Sequence, residues 1–263
     1  MILITGATGK TGYEVAKNLA EFNVPFKALI RNSTKASQMT ELGGQPLVGS
    51  IEDGDLLNQA LEGVDKTLLL LPNSEHQLSL EKQFVDAAVK AGVKHVVKMS
   101  SMEALPEATR TIPRMHVESE NHIKDSGLSW TMIKPNFFMQ NLLGSGKTIK
   151  EQSKFFFPFK NGTTAMMDVR DIGLFIAKVL SDEGHNNQNY EITGPELLSF
   201  HEVAEKFSLV LGKEINYRVS VLNPQPKFAQ FTSCIERYRQ NTLHEIGPQH
   251  SLPRAERFIS TAS

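Results

Sequence analysis

The 263-residue chain contains one cysteine, Cys234, one tryptophan, Trp130, and four tyrosines. A single cysteine excludes a disulfide framework and a cysteine-based metal cluster within one chain. Cys234 is expected to be a packed thiol. No apolar run approaches the ~20 residues that span a bilayer. Gly6 and Lys10 interrupt any apolar segment at the N-terminus, so no signal peptide is expected. The net charge of −1 gives no field that would draw the chain to nucleic acid or anionic lipid. The histidines show no metal-ligand spacing. What remains is 40% hydrophobic and 22% charged, the composition of an ordinary globule. A cytoplasmic protein is expected, with one large domain or a core plus a small lobe.

The chain is organised around its first twelve residues. Met1–Thr5 is a short, apolar, β-branched run. Gly6, Gly9 and Gly12 follow at a spacing of three, and a helical pattern begins at once, with Val15, Leu19 and Phe22 on its inner face. Strand, glycine turn and helix together form the context of a dinucleotide fingerprint. Gly6 permits the tight turn, Gly9 lets backbone approach a pyrophosphate, and Gly12 lets helix pack on sheet. Thr8, Lys10 and Thr11 lie in the same turn, where the helix N-terminus favours an anion. Two Gly-Lys-Thr triplets resemble the end of a P-loop. That motif needs a glycine five residues earlier, and Ile4 and Asn141 stand there.

Further along, apolar runs alternate with helical patterns. Strands are expected at Phe26–Ile30, Pro46–Val48, Thr67–Leu71, His95–Met99 and Trp130–Ile133. Helices are expected at 34–42, 55–61, 76–91 and 114–125, with Pro106 and Pro113 in the loop before the last. This alternation implies an α/β fold: a doubly wound parallel sheet of Rossmann type. Ligands of such sheets sit at the carboxyl ends of the strands. That places Ser50, Leu71, Pro72, Ser100 and Ser101 on the candidate list, with the stretch Lys134–Phe138. The expected domains are a core over 1–150 and a small lobe over 151–263, with 168–192 returning to the core. In the lobe, Phe155–Phe159 is apolar and Thr164–Met167 is a short strand. Asp168 is placed to cap a helix over 169–181, Tyr190–Ile192 is strand-like, and Ser199 with Glu202 forms a capping box for 200–211. Residues 239–263 carry no strong pattern.

The acidic residue that would bind an NAD ribose belongs about 20 residues after the glycines. Arg31 holds that position, and no Asp or Glu lies between Asn23 and Thr40. An arginine pairs with a 2′-phosphate through two hydrogen bonds, and Lys10 and Lys35 add charge. NADP is therefore expected over NAD.

With these pieces in hand, the chain resembles the NmrA-like group of atypical short-chain dehydrogenase/reductases. The resemblance rests on Gly6-Ala-Thr-Gly9-Lys-Thr-Gly12, Met99-Ser-Ser101, His116-Val-Glu-Ser-Glu120 and the stretch Ser126–Asn141. It covers residues 1 to about 210. It implies nicotinamide contacts from Pro135, Asn136 and Phe137. Ordinary short-chain dehydrogenases carry a Tyr-x-x-x-Lys pair on the helix after the fifth strand. None of Tyr13, Tyr190, Tyr217 and Tyr238 lies there. Tyr13-Glu-Val-Ala-Lys17 has the spacing but sits on the first helix. His116 and Glu120 stand at the expected place, one helix face apart by four. His116 is a candidate proton donor, or a residue that only lines the pocket. Ser101 is placed to hold a substrate oxygen or to cap its loop. Phe138 and Phe157 are candidates for a flat, uncharged substrate, against a role in the core.

The expected activity is an NADPH-dependent reductase passing a hydride to a quinone, imine, dye or conjugated carbonyl. The alternative is an NADP(H)-binding redox sensor that regulates a protein partner. The expected partner of the enzyme is a small molecule, with a homodimer left open.

Overall fold

The computed structural model describes residues Met1–Ser220; Cys234, Tyr238 and the stretch 239–263 lie outside them. In chain order the elements are β1 (Ile2–Thr5), α1 (Lys10–Glu21), β2 (Phe26–Ile30), α2 (Ala36–Glu41), β3 (Gln45–Val48), α3 (Gly54–Leu61), β4 (Lys66–Leu69), α4 (Gln77–Lys90) and β5 (His95–Met99). Next come α5 (Thr111–Asp125), β6 (Ser129–Pro135), α6 (Gly146–Gln152), β7 (Lys154–Phe157), β8 (Thr163–Thr164) and α7 (Val169–Ser181). Last are β9 (Gln188–Ile192), β10 (Leu198–Ser199), α8 (Phe200–Leu211) and β11 (Asn216–Val219).

Seven strands form one sheet in the order β3-β2-β1-β4-β5-β6-β9. The pairs from β3 across to β6 are parallel. The chain runs outward from β1 to β3, then back past β1 to β4, so the order reverses between β1 and β4. That reversal is where a doubly wound sheet opens its ligand crevice. The expected Rossmann-type α/β fold is therefore the observed one. β1 is buried at all four residues, as a strand covered on both faces must be. One core cluster joins Leu3 and Leu29 to Leu57, Phe84, Ala88, Val96, Ile123 and Met132, so the strands and the helices α3, α4 and α5 share one apolar interior. α1 and α7 pack so closely that a Cβ at Gly173 would lie 2.4 Å from that of Glu14.

Contacts divide the described residues into two units. The first is Met1–Lys134 with Val169–Glu191; the second is Pro135–Asp168 with the residues from Ile192 on. The division thus falls after Lys134, Asp168 and Glu191. The second unit has its own core, in which Phe137, Phe155, Phe157, Phe159, Phe200 and Tyr217 are all buried. Its strands form two small sheets, β7 with β11 and β8 with β10.

Several boundaries differ from the periodicity, each for a local reason. β4 ends at Leu69 and not at Leu71. The Leu70 N–H is taken by Thr5 Oγ1 at 2.8 Å, so the backbone leaves the ladder while the apolar run continues. α5 begins at Thr111 and takes Pro113, expected in the preceding loop, into its first turn. A proline is tolerated in a first turn, where its missing N–H would have no partner. β6 continues through Lys134 to Pro135, past the proline expected to stop it. The expected strand at Thr164–Met167 is only Thr163–Thr164. Phe22 caps the end of α1 and is exposed.

Candidate active site

The site begins at the β1–β4 reversal. Thr5 ties the two strand ends together: its hydroxyl donates to Leu68 O at 2.9 Å and accepts from Leu70 N. Gly6 turns the chain with φ +67°, and a Cβ there would lie 2.6 Å from Leu70 O. Only glycine meets both conditions. The Gly9 N–H returns to Gly6 O at 2.9 Å, closing the turn. A Cβ at Gly12 would lie 2.2 Å from Gly6 O, so the first turn of α1 rests on the glycine loop itself. A Cβ at Gly9 would meet nothing nearer than Gly6 O at 3.3 Å, and Gly9 is exposed. This is a bare backbone cradle. α1 has no side-chain cap and no acidic residue in its first turn, which suits an anion at its N-terminus. Thr8 and Lys10 lie on the accessible side of the turn, and Thr11 is buried beneath it.

Arg31 is exposed at the carboxyl end of β2. Asn32 shapes the next turn, its Oδ1 accepting from Thr34 N at 3.0 Å and Thr34 Oγ1 at 2.8 Å. The turn brings Lys35 back, and its ammonium donates to Thr8 O at 3.2 Å. Lys35 therefore reaches the glycine turn, and Arg31 stands just beyond the strand paired with β1.

At the end of β3, Ser50 Oγ accepts from Glu52 N at 3.2 Å. Leu71 leans on the core, while Pro72 is exposed beyond β4.

Behind β5 lies a buried polar cluster that the sequence reading named only in part. Lys98, on a fully buried strand, pairs with Glu81 of α4 at 2.6 Å. Gln77 Nε2 donates to the other Glu81 oxygen at 3.0 Å. Burial pushes the Glu81 carboxyl up, but the charge and hydrogen bond of Lys98 outweigh it and hold the group below its usual value. A second pair joins Glu120 of α5 to Lys134 of β6 at 3.1 Å. Ser100 Oγ donates to the other Glu120 oxygen. Lys98 carries a faint sequence signal: a lysine inside an otherwise apolar strand needs a partner. Glu81 carries none, because a helix admits a glutamate on any face.

His116 lies among these charges. It is buried, and its Nδ1 has no hydrogen-bond partner. Burial and then the charge of Lys98 push its pKa down to about 3, with Glu81 opposing and Lys134 adding. The imidazole is neutral at physiological pH, which argues against a charged proton donor. Ser101 caps its own loop: Oγ accepts from Glu103 N at 3.2 Å. Glu103 is buried in that loop, and burial raises its pKa to about 7, with Arg110 opposing.

In the second unit, Asn136 Oδ1 accepts from Thr164 Oγ1 at 2.8 Å and from Phe137 N at 2.6 Å. The Asn136 N–H donates to Ile192 O at 2.9 Å. The segment after Pro135 is thus held by its own unit. The Phe137 ring packs edge-on against Phe157, Phe159 and Phe200 at 5.7–5.9 Å. Phe157, expected to be near a substrate, is one of these core rings. Phe138 is only half-buried and bridges to Met167.

The pattern of the NmrA-like family covers residues 1–241. The chain belongs to the NmrA-like family. It is 38% identical over 229 residues to the NAD(P)H azoreductase of Xenophilus azovorans, spanning 87% of this chain and 80% of that one. It is 30% identical over 223 residues to quinone oxidoreductase 2 of Escherichia coli K12, spanning 83% and 77%. The solved NADPH complex of the E. coli quinone oxidoreductase superposes with a TM-score of 0.79 at 25% identity, over 89% of this chain and 87% of that one. The triphenylmethane reductase of Citrobacter sp., solved with NADP(H), shares the fold at 24% identity, with a TM-score of 0.78 over 90% of each chain.

Proposed function

We propose that this NmrA-like chain is an NADPH-dependent reductase that delivers a hydride to a small, flat electrophile such as a quinone, an azo or other dye, an imine or a conjugated carbonyl. The observation that carries the reading is the bare glycine cradle with Arg31 and Lys35 beside it. The cradle fits a pyrophosphate, because at Gly6 and Gly12 any side chain would collide with backbone. The reduced nicotinamide, when bound, supplies the hydride. The family relatives named as azo and quinone reductases support the acceptor class and weigh against the sensor reading.

Each residue then has a task. The N–H groups around Gly9–Gly12, with Thr8, Lys10 and Thr11, bind the pyrophosphate. Arg31 and Lys35 take the 2′-phosphate. Ser50, Leu71 and Pro72 border the adenosine half. Ser100 and Ser101, with Pro135, Asn136 and the Phe137 backbone, border the nicotinamide half. Phe138 is the aromatic side chain offered to the acceptor. Quinones and dyes are already electrophilic, so they need no tyrosine acid. A neutral His116 is compatible with that chemistry, lining the site without carrying charge. The single cysteine suits a reducing compartment, and we place the reaction in the cytoplasm with a small-molecule partner.

Arg31→Glu tests the cofactor assignment. Calorimetric titration should show NADPH weakened about tenfold to a hundredfold, as expected for a lost charged hydrogen bond. NADH should change by no more than about threefold, the scale of a screened surface charge. Equal losses for both would sink the 2′-phosphate assignment.

A further inference from the structure

The helix α5 carries a carboxylate where ordinary short-chain dehydrogenases carry the lysine of their Tyr-x-x-x-Lys pair. We propose that Glu120 is a positioning residue for the nicotinamide: it clamps the carboxyl ends of β5 and β6, where Ser100 is assigned to the nicotinamide half. The inference rests on the reductase reading above.

One carboxylate reaches two strand ends. Its Oε1 accepts from Ser100 Oγ, on the first residue beyond β5. Its Oε2 faces Lys134 at 3.1 Å, the residue directly before Pro135. The Lys134 ammonium also donates to Ala104 O at 3.4 Å, in the loop after β5. The two strand ends are further joined by Ser100 N to Ile133 O at 2.8 Å. A third group, Lys124, approaches Oε2 at 3.6 Å. The three differ in exposure: the side chains of Glu120 and Lys134 are 4% and 11% exposed, that of Lys124 35%. The Lys134 pair is therefore shielded, while the Lys124 pair is screened by solvent.

A buried ion pair is weak as a source of stability, since apolar residues of similar volume often do as well. It does fix geometry, because breaking one side leaves a buried charge that must find another partner. Here the displaced charge would be Lys134, and the carboxylate that it shares with Ser100 would shift with it. A shift of about 1 Å at a reacting centre can cost on the order of a hundredfold in rate. The pyrophosphate and 2′-phosphate contacts lie elsewhere, on the glycine turn and at Arg31, so affinity should survive.

The test compares wild type, Glu120→Gln, Lys134→Met, the double variant and Lys124→Met. Each is titrated with NADPH, following the fluorescence of the bound reduced nicotinamide, and then mixed with 1,4-naphthoquinone in a single turnover. Glu120→Gln and Lys134→Met should keep NADPH affinity within about threefold, lose at least about half of the emission enhancement, and slow hydride transfer about tenfold or more. The double variant should be no worse than either single one, as coupled partners require. Lys124→Met should match wild type. Wild-type emission and rate in Lys134→Met, or additive losses in the double variant, would overturn the clamp. If Glu120→Gln fails to fold, Lys134→Met alone decides. Absence of NADPH binding by wild type would instead remove the reductase reading and the clamp with it.

Discussion

Gly12 shows how much one absent methyl group can decide. A Cβ there would overlap Gly6 O at 2.2 Å and come within 2.9 Å of Ala7 Cα. Both obstacles are backbone, so no rotamer can relieve them. Gly12→Ala should destabilise the fold by about 1–3 kcal/mol, the range for overpacking, and weaken NADPH binding; urea unfolding and calorimetry would read the two effects. The place of Arg31 just beyond β2 was legible from its spacing after the glycines. Lys35 was legible as charge only, since its return to Thr8 depends on the Asn32 turn. His116 was legible as a position but not as a chemical state. Its neutrality comes from burial and then from the charge of Lys98, and no sequence spacing links residues 98 and 116. Trp130 is too far from Pro135 to report on nicotinamide binding. It sits near the amino end of β6, roughly 16 Å along the strand from Pro135 at about 3.3 Å per residue, with Lys124 over its ring at 5.2 Å.

At the scale of elements, periodicity located the strands and helices of the first unit because their faces bury apolar residues at regular intervals. The ends escaped where side chains took over backbone bonds, as Thr5 does for Leu70. Caps were legible where their chemistry is local. Ser199 accepts from Glu202 N at 3.2 Å, and the Glu202 carboxylate accepts from Ser199 N at 2.7 Å. α8 then ends at Gly212, which adopts φ +63°. Ser199→Ala should cost about 1 kcal/mol, measurable as a lower urea midpoint with an unchanged slope. The run Phe155–Phe159 was legible as apolar, but pocket and core have the same composition. Pairwise ring contacts decided it: Phe157 lies 5.2 Å from Phe200 and 6.1 Å from Phe159, so its neighbours are rings of its own unit.

At the scale of the whole molecule, buried titratable groups set the response to pH. Burial lowers His95 to about 4, with Lys66 and His185 adding and Glu183 opposing. His116 stands at about 3. The unfolded chain protonates both near pH 6.5, so it binds more protons than the native state below that value, and stability falls as the pH drops. The native states resist until about pH 4 and about pH 3. Glu103 works the other way: its native value of about 7 lies above 4.5, so it removes stability as pH rises between those values. Among the described residues His95 and His116, with His185 shifted the same way by burial, oppose Glu103, and urea midpoints should therefore fall from pH 6.5 to pH 4.5. His116→Asn should flatten that fall; an unchanged slope would contradict the buried, neutral imidazole.

The most direct measurement mixes the wild-type protein with NADPH and, in turn, a naphthoquinone and an azo dye, and follows the loss of reduced-nicotinamide absorbance. The account predicts steady consumption with at least one acceptor, and far slower consumption when NADH replaces NADPH at equal concentration. Tight NADPH binding with no consumption on any acceptor would contradict the reductase and leave a nucleotide-binding protein without turnover.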